Sequence, residues 1–422
     1  MDHFNLKNGV LNAEDVSLSA IADAVGTPVF VYSQSTIERH ARVFTEAVAG
    51  AGMGDPLVAF ALKSNSNGAV LRVLAKAGLG ADIVSGGELV RALHAGIAPE
   101  KIIFSGVGKT ADELAQALDA GVGQINVESV EEAQMLAQIA VDKGVVAPIA
   151  FRINPDVDAG THAKISTGKS ENKFGIAYDL APAAYALARE HSSLNAQGVA
   201  VHIGSQLTSL EPFAAAFAKI GTLIANLRAA GHTITTADLG GGLGVPYDPA
   251  HPLPPLPAAY GEMVRTATAG WNTRLIFEPG RLIIANAGIL LSRVTRVKQE
   301  GNRTPFVIVD AAMNDLIRPS MYDAYHDIRA VNPDGARFSA HVVGPVCETG
   351  DTFAMDRDID AVRAGDLLIF ATAGAYAANM ASTYNSRPLA PEVLVSGDKF
   401  AVVRKRLDVQ TLIAAEDAAE WL

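Results

Sequence analysis

Between about residue 56 and residue 280 the chain repeats one beat: a short apolar run, a turn, then a helical stretch rich in Ala and Leu. The apolar runs are Leu57 to Lys63, Ala81 to Ser85, Lys101 to Ser105, Gln124 to Glu128, Ile149 to Asn154, Gly198 to Gly204, Ala237 to Gly240 and Leu275 to Glu278. Between them Gly87 to Leu93 and Ser129 to Leu136 read as helices, and Thr110 ahead of Asp112-Glu113 reads as an N-cap. Eight strand-like runs alternating with helices predict parallel strands in a (β/α)8, TIM-like barrel. A doubly wound open sheet shares this local rhythm and is the competing architecture.

Beyond Arg281 the rhythm changes. Ile289 to Val297, Phe306 to Val309, Phe338 to Val343, Asp366 to Ala371, Glu392 to Val395 and Phe400 to Arg404 read as strands with few helices between them, which predicts a C-terminal antiparallel β domain. Pro28 to Tyr32 is also strand-like and is expected to pack with it, so the division is a barrel over 35–280 and a β domain built from 1–34 plus 281–422. Pro252 to Pro257 reads as a loop ahead of a helix.

Composition narrows the setting. A chain of 422 residues suffices for two ordinary domains or one barrel with an appendage. The longest uncharged apolar stretch, Leu367 to Met380, is broken by Gly374 and Asn379 and falls short of the roughly 18 residues a membrane span needs. The first residues lack the basic start and apolar stretch of a signal peptide. Cys347 stands alone, which excludes an intrachain disulfide and points to a reducing cytoplasm. A net charge of -11 without a basic run argues against a nucleic-acid partner.

In a barrel the polar residues at the C-terminal ends of strands surround the active site. Those positions here hold Lys63, Asp82, Ser85, Ser105, Glu128, Ser129, Arg152, Asn154, His202 and Ser205, then Gly240 to Gly244, Glu278 and Arg281. Any one of them alone reads as a helix cap or a satisfied structural group; so many charged ends on one face do not. Lys63 closes an apolar strand, where desolvation favours the neutral amine that a Schiff base needs, although a lysine snorkelling to solvent looks the same on this segment. The Gly240-Gly241-Gly242 loop, expected to lead toward a helix, offers backbone N–H groups to a phosphate, but its glycine offsets match neither a P-loop nor a dinucleotide fingerprint. Glu278 ends the last strand, where a carboxylate can keep a pyridine nitrogen protonated, and His202 can stack on a flat ring.

These residues carry a resemblance. Ala61 to Asn65, Asp82 to Glu88, Arg152 to Pro155, His202 to Gln206, Gly240 to Gly242 and Glu278 to Arg281 resemble motifs of the fold-type III, alanine-racemase-like pyridoxal-phosphate decarboxylases. So do Thr161 to Lys169, Lys173 to Gly175, Asp310 to Pro319 with Tyr322, Gly344 to Asp351, Gly374 to Tyr376 and Tyr384 to Pro388, in family order from about residue 28 to 395. Within that family the pattern is most similar to the members acting on meso-2,6-diaminopimelate.

The resemblance implies pyridoxal 5'-phosphate as cofactor, anchored on Lys63. It implies that Asp82, His202, Ser205, Gly240, Gly241, Gly242, Glu278, Gly280, Arg281 and Tyr376 contact that cofactor, with Glu278 on the ring nitrogen. It places Arg281, Arg318, Tyr322, Glu348 and Tyr376 around the substrate, and makes Cys347 a proton donor delivered with Glu348 from the partner subunit of a homodimer. The implied reaction releases CO2 and L-lysine. Two arginines plus Glu348 suit a substrate with two zwitterionic ends better than a diamine precursor such as ornithine. A decarboxylase for carboxynorspermidine, arginine or ornithine is the alternative; a racemase and a non-catalytic barrel stand behind it. No metal site is assigned.

Overall fold

A computed structural model describes residues 2–158, 167, 173–419 and 421. The chain divides into two compact units, residues 38–246 with 252–283, and residues 1–37 with 247–251 and 284–422.

The first unit is a closed barrel, which settles the competition with an open sheet. Its eight strands are Leu57–Ala61, Gly80–Ile83, Ile102–Phe104, Gln124–Val127, Ala147–Asn154, Leu194–Ala200, Thr236–Asp238 and Arg274–Phe277. Each pairs in parallel with the next, and the last closes on the first through Ile276 opposite Leu57 and Phe277 opposite Val58. Strands covered by helices outside and side chains inside have no solvent face, so they read as near-continuous apolar runs. Several runs read from the sequence overshoot: Leu57 to Lys63 ends as strand at Ala61, and Gly198 to Gly204 at Ala200. The polar residues that follow have left the ladder for the loops above it.

Three successive helices begin with Ser/Thr-x-x-Glu. Thr110 caps its helix by accepting from Glu113 N at 3.3 Å while Glu113 reaches back to Thr110 N at 3.0 Å, a reciprocal capping box. Ser85 and Ser129 cap in the same way, accepting from Glu88 N and Glu132 N, but their glutamates reach one residue further, to Val84 N and Glu128 N.

The second unit is built on one nine-stranded sheet. Its longest strand, Gly288–Lys298, pairs with Val29–Ser33 at one end, with Phe306–Val309 at the other, and with Leu367–Phe370 between. Val29, Val31, Ile289, Leu291, Leu367, Ile369, Val393 and Val395 fill its core together with Leu11, Leu18 and Ile21 of the N-terminal segment. The predicted antiparallel domain is mixed in one respect: Phe306–Val309 runs parallel to Arg337–Val343, and Glu392–Ser396 parallel to Val29–Ser33. Strands Ile328–Ala330 and Thr352–Asp360 and a small N-terminal sheet were not foreseen. Among the described residues no helix is long and apolar enough to cross a membrane.

Candidate active site

The first barrel strand passes into a single 3-10 turn, Leu62–Ser64, closed by Ser64 Oγ donating to Ala61 O at 2.7 Å. Lys63 rides on this turn. Its Nζ donates to Asp82 Oδ2 at 2.7 Å; the lysine side chain is 36% exposed and the aspartate 0%. A buried carboxylate is costly without a counter-charge, and the second oxygen, Oδ1, has no hydrogen-bond partner among the described residues. The sequence reading relied on desolvation around Lys63. The structure supplies a partly exposed amine aimed by a buried carboxylate instead.

Below the mouth lies a polar layer in which Ser105 and Glu278, both named from the sequence, meet Asn126 and Asp238, which were not. Asn126 Nδ2 donates to Asp238 Oδ2 at 2.8 Å and to Ser105 Oγ at 3.0 Å, and approaches Glu278 Oε1 at 3.4 Å. Asp238 also accepts from Gly240 N at 2.9 Å. Burial, with Asp238 and Asp82 beside it, pushes the Glu278 carboxyl well above the usual range; Asp238 is raised by burial too. Two adjacent buried carboxyls resist ionising together, so both sit above the usual carboxylate range, Glu278 the further. Alternation gave a signal: in Gln124-Ile125-Asn126-Val127 the polar positions are the inward ones, unusual for a barrel interior.

His202 lies beyond its strand. Its Nδ1 accepts from Gly241 N at 3.1 Å, which leaves the ring proton on Nε2. Burial and the neighbouring Arg152 and Lys63 cations hold its pKa well below 6.5, so the ring is neutral. Arg152 bonds Glu128 Oε1 at 3.0 Å and stacks on Phe174 with its guanidinium carbon 4.8 Å from the ring centre. Glu128 also accepts from Gly175 N and Gly106 N. Arg281 points its Nε and Nη2 at Ser205 Oγ, 3.3 and 3.1 Å away.

The glycine loop is a cradle by steric necessity. Gly240 (φ +64°) and Gly242 (φ +112°) hold left-handed backbone conformations, and a Cβ would lie 2.6 Å from Val201 O and 2.5 Å from Gly204 O respectively. Gly241 is as crowded, 2.2 Å from Glu278 O. The helix expected after the loop is Pro257–Ala267, beyond the Pro252 to Pro257 loop, so the glycine loop stands at no helix terminus, and its Gly240 and Gly241 N–H groups are held by Asp238 and His202.

In the second unit Arg318 and Tyr322 occupy positions i and i+4 of one short helix, Arg318–Tyr322. Arg318 is buried and Tyr322 half-buried. Cys347 and Glu348 are exposed on a loop, with Cys347 N donating to Asn385 Oδ1 at 3.1 Å. At that exposure Cys347 is no part of the core. Tyr376 is half-buried and holds a left-handed φ of +55°, uncommon for a side chain of that size. Of the motifs in the resemblance, Thr161 to Lys169 lies outside the described residues except for Thr167, which donates through Oγ1 to His202 O at 2.8 Å. Among the described residues no group of three or more His, Cys, Asp or Glu is arranged to hold a metal ion.

A lysine amine on a buried carboxylate, a glycine loop too crowded for any side chain and a buried acid in the same barrel fit pyridoxal phosphate: amine for its aldehyde, bare backbone for its phosphate, carboxyl for its nitrogen. Fold and site together define a pyridoxal-phosphate enzyme of the barrel type. Residues 34–285 match the family model described as pyridoxal-dependent decarboxylase, pyridoxal binding domain. Over 419 residues and 99% of both chains, the sequence is 58% identical to the diaminopimelate decarboxylase of Zymomonas mobilis. It is 51% identical to that of Pseudomonas aeruginosa, again over 99% of both. The crystal structure of diaminopimelate decarboxylase from M. jannaschii in co-complex with L-lysine superposes with a TM-score of 0.94 at 35% identity, covering 100% of this chain and 99% of that one. The chain belongs to the diaminopimelate decarboxylase family.

Proposed function

We propose that this chain is a carboxy-lyase that converts meso-2,6-diaminopimelate to L-lysine and CO2 with pyridoxal 5'-phosphate as cofactor. The observation that carries the chemistry is Lys63 Nζ held 2.7 Å from the buried Asp82 carboxylate, with buried Glu278 at the end of the last strand of the same barrel. The substrate is supported by the full-length relatives and by L-lysine, the expected product, in the M. jannaschii complex.

When bound, pyridoxal phosphate supplies an electron-withdrawing ring that accepts the bonding pair as the carboxylate leaves. Lys63 holds it through Nζ. The close-packed backbone of Gly240, Gly241, Gly242 and Gly280 would line its phosphate with Ser205, whose hydroxyl Arg281 orients, while the Gly240 and Gly241 N–H groups stay on Asp238 and His202. Glu278 would hold the ring nitrogen and supply its proton, and His202 would hold the ring. Arg281, Arg318, Tyr322 and Tyr376 bind the substrate, and the guanidinium groups suit its carboxylates. Cys347 gives its thiol proton to the carbon that has lost CO2, with Glu348 beside it. We assign Cys347 and Glu348 to the partner subunit of a homodimer. A single exposed cysteine and no disulfide favour a reducing cytoplasm.

The deciding experiment measures CO2 release from meso-diaminopimelate, carboxynorspermidine, ornithine and arginine, with and without added pyridoxal phosphate. Turnover of diaminopimelate alone is expected; preference for a diamine precursor overturns the substrate. Mixing inactive Lys63→Ala and Cys347→Ala subunits tests the shared site. Recovery of part of the activity supports it, and no recovery in verified mixed dimers rejects it.

A further inference from the structure

Arg318 is 6% exposed, and an arginine so deeply placed needs specific partners. Its Nη1 lies 2.9 Å from Nε2 of His326, and its guanidinium carbon sits 4.4 Å from the centre of the Tyr247 ring. The two partners also hold each other, with ring centres 5.5 Å apart and planes at 78°. His326 is 1% exposed, and its Nδ1 lies 2.9 Å from the carbonyl oxygen of Ala371. A carbonyl only accepts and a guanidinium only donates, so the imidazole proton is on Nδ1 and the lone pair on Nε2 faces Arg318.

The backbone makes this arrangement stiff. His326 stands just before strand Ile328–Ala330 and Ala371 just after strand Leu367–Phe370; the two strands pair with Ile328 opposite Phe370. Ala371 N also donates to Asp327 O at 2.8 Å. Tyr247 arrives by a separate route. It opens the five-residue segment 247–251, which packs with this unit although the chain on either side of it belongs to the barrel.

We propose that His326 and Tyr247 are positioning residues that fix the plane of the Arg318 guanidinium for a two-pronged grip on the substrate carboxylate that is not lost. The proposal rests on the assignment of Arg318 to the substrate made above. Arginine surpasses lysine for carboxylates only because its fork is planar, and that advantage requires a fixed plane. Stacking on Tyr247 sets the tilt, and the bond to His326 sets the rotation about the side-chain axis.

The carboxylate that stays behind is present in L-lysine and absent from 1,5-diaminopentane. Inhibition constants of the holoenzyme for these two molecules therefore read the grip separately from turnover. His326→Asn keeps the donor toward Ala371 but withdraws the acceptor from Arg318. It is expected to weaken L-lysine roughly 10-fold, the worth of one hydrogen bond to a charged group, and the diamine by less than about 2-fold. His326→Gln, whose carbonyl reaches the position of Nε2, is expected to recover most of that loss. Tyr247→Leu, at a half-buried position that tolerates truncation better, is expected to weaken L-lysine selectively as well. It gives the answer if the histidine variants do not fold. Folded variants that leave L-lysine unchanged, or weaken both inhibitors equally, overturn the positioning role. Arg318→Ala separates the two layers. If it too leaves L-lysine unchanged, the substrate assignment of Arg318 falls; if it weakens L-lysine while His326→Asn and Tyr247→Leu do not, only the positioning role falls.

Discussion

The barrel mouth and the loop from Gly344 to Asp351 solve opposite problems. In the mouth the candidate groups hold one another: Lys63 on buried Asp82, Arg152 on buried Glu128, Asp238 and Glu278 on Asn126. In the loop the fixed part is the backbone. Asp351, 3% exposed, accepts from Met313 N at 2.6 Å and Val346 N at 2.7 Å, and the Asp351 amide donates to Glu348 O at 3.0 Å. Cys347 and Glu348 are left exposed on that rigid frame. Burying counter-charges fixes a cofactor's surroundings once; presenting a thiol on a stiff backbone leaves it available to a second surface.

The widest split between the two regions comes from their reactive side chains. Lys63→Ala is expected to abolish activity and the visible absorbance of bound cofactor that borohydride discharges, since it removes the amine that sits on Asp82. Cys347→Ala is expected to keep that absorbance and to lower kcat roughly 10²-fold or more, the usual cost of losing a general acid. The comparison breaks if Cys347→Ala loses the cofactor, or if Lys63→Ala retains it after borohydride treatment.

A thermodynamic contrast sharpens it. Glu278 keeps its proton in the folded barrel well above the pH at which the unfolded chain releases it. The folded state then binds more protons than the unfolded state, and stability falls as pH rises above the usual glutamate range. Glu278→Gln removes that slope, so melting curves of cofactor-free protein should show the variant gaining on wild type as pH rises. A constant difference across pH would mean that Glu278 is ionised in the fold.

How much of this was legible follows from where each signal lives. The barrel was readable because buried parallel strands and their helices alternate locally along the chain, and the mouth residues follow those strands directly. The Thr110 cap was readable for the same reason, because its partners are three residues apart. Asn126, Asp238 and His326 were not singled out. Asn126 meets Asp238 across 112 positions and His326 meets Ala371 across 45, and only closure of the folds brings them together. Tyr247 was hidden for another reason: it follows a glycine loop inside the barrel's stretch of sequence, yet folds with the other unit. The turn under Lys63 escaped because an apolar run gives no sign that its last residues leave the ladder.

Glu88 gives the smallest expected effect and the most local one. It belongs to the mouth by position, since its Oε2 accepts from Val84 N at 2.8 Å at the start of the helix that follows Asp82. Burial, helped by the nearby Asp82 charge and opposed by the Val84 amide, pushes its carboxyl from 4.5 up to about 7. A raised carboxyl pKa stabilises the protonated fold, and that stabilisation is lost as pH rises from 4.5 through about 7. The loss is on the order of 3 kcal/mol by the usual conversion of pKa shift to free energy. Glu88→Gln keeps an acceptor for Val84 N and removes the titration, so urea unfolding of cofactor-free protein should find it more favourable relative to wild type at pH 8 than at pH 5. A difference that stays constant with pH would mean that the mouth does not hold Glu88 in the buried network that sets it apart from the loop.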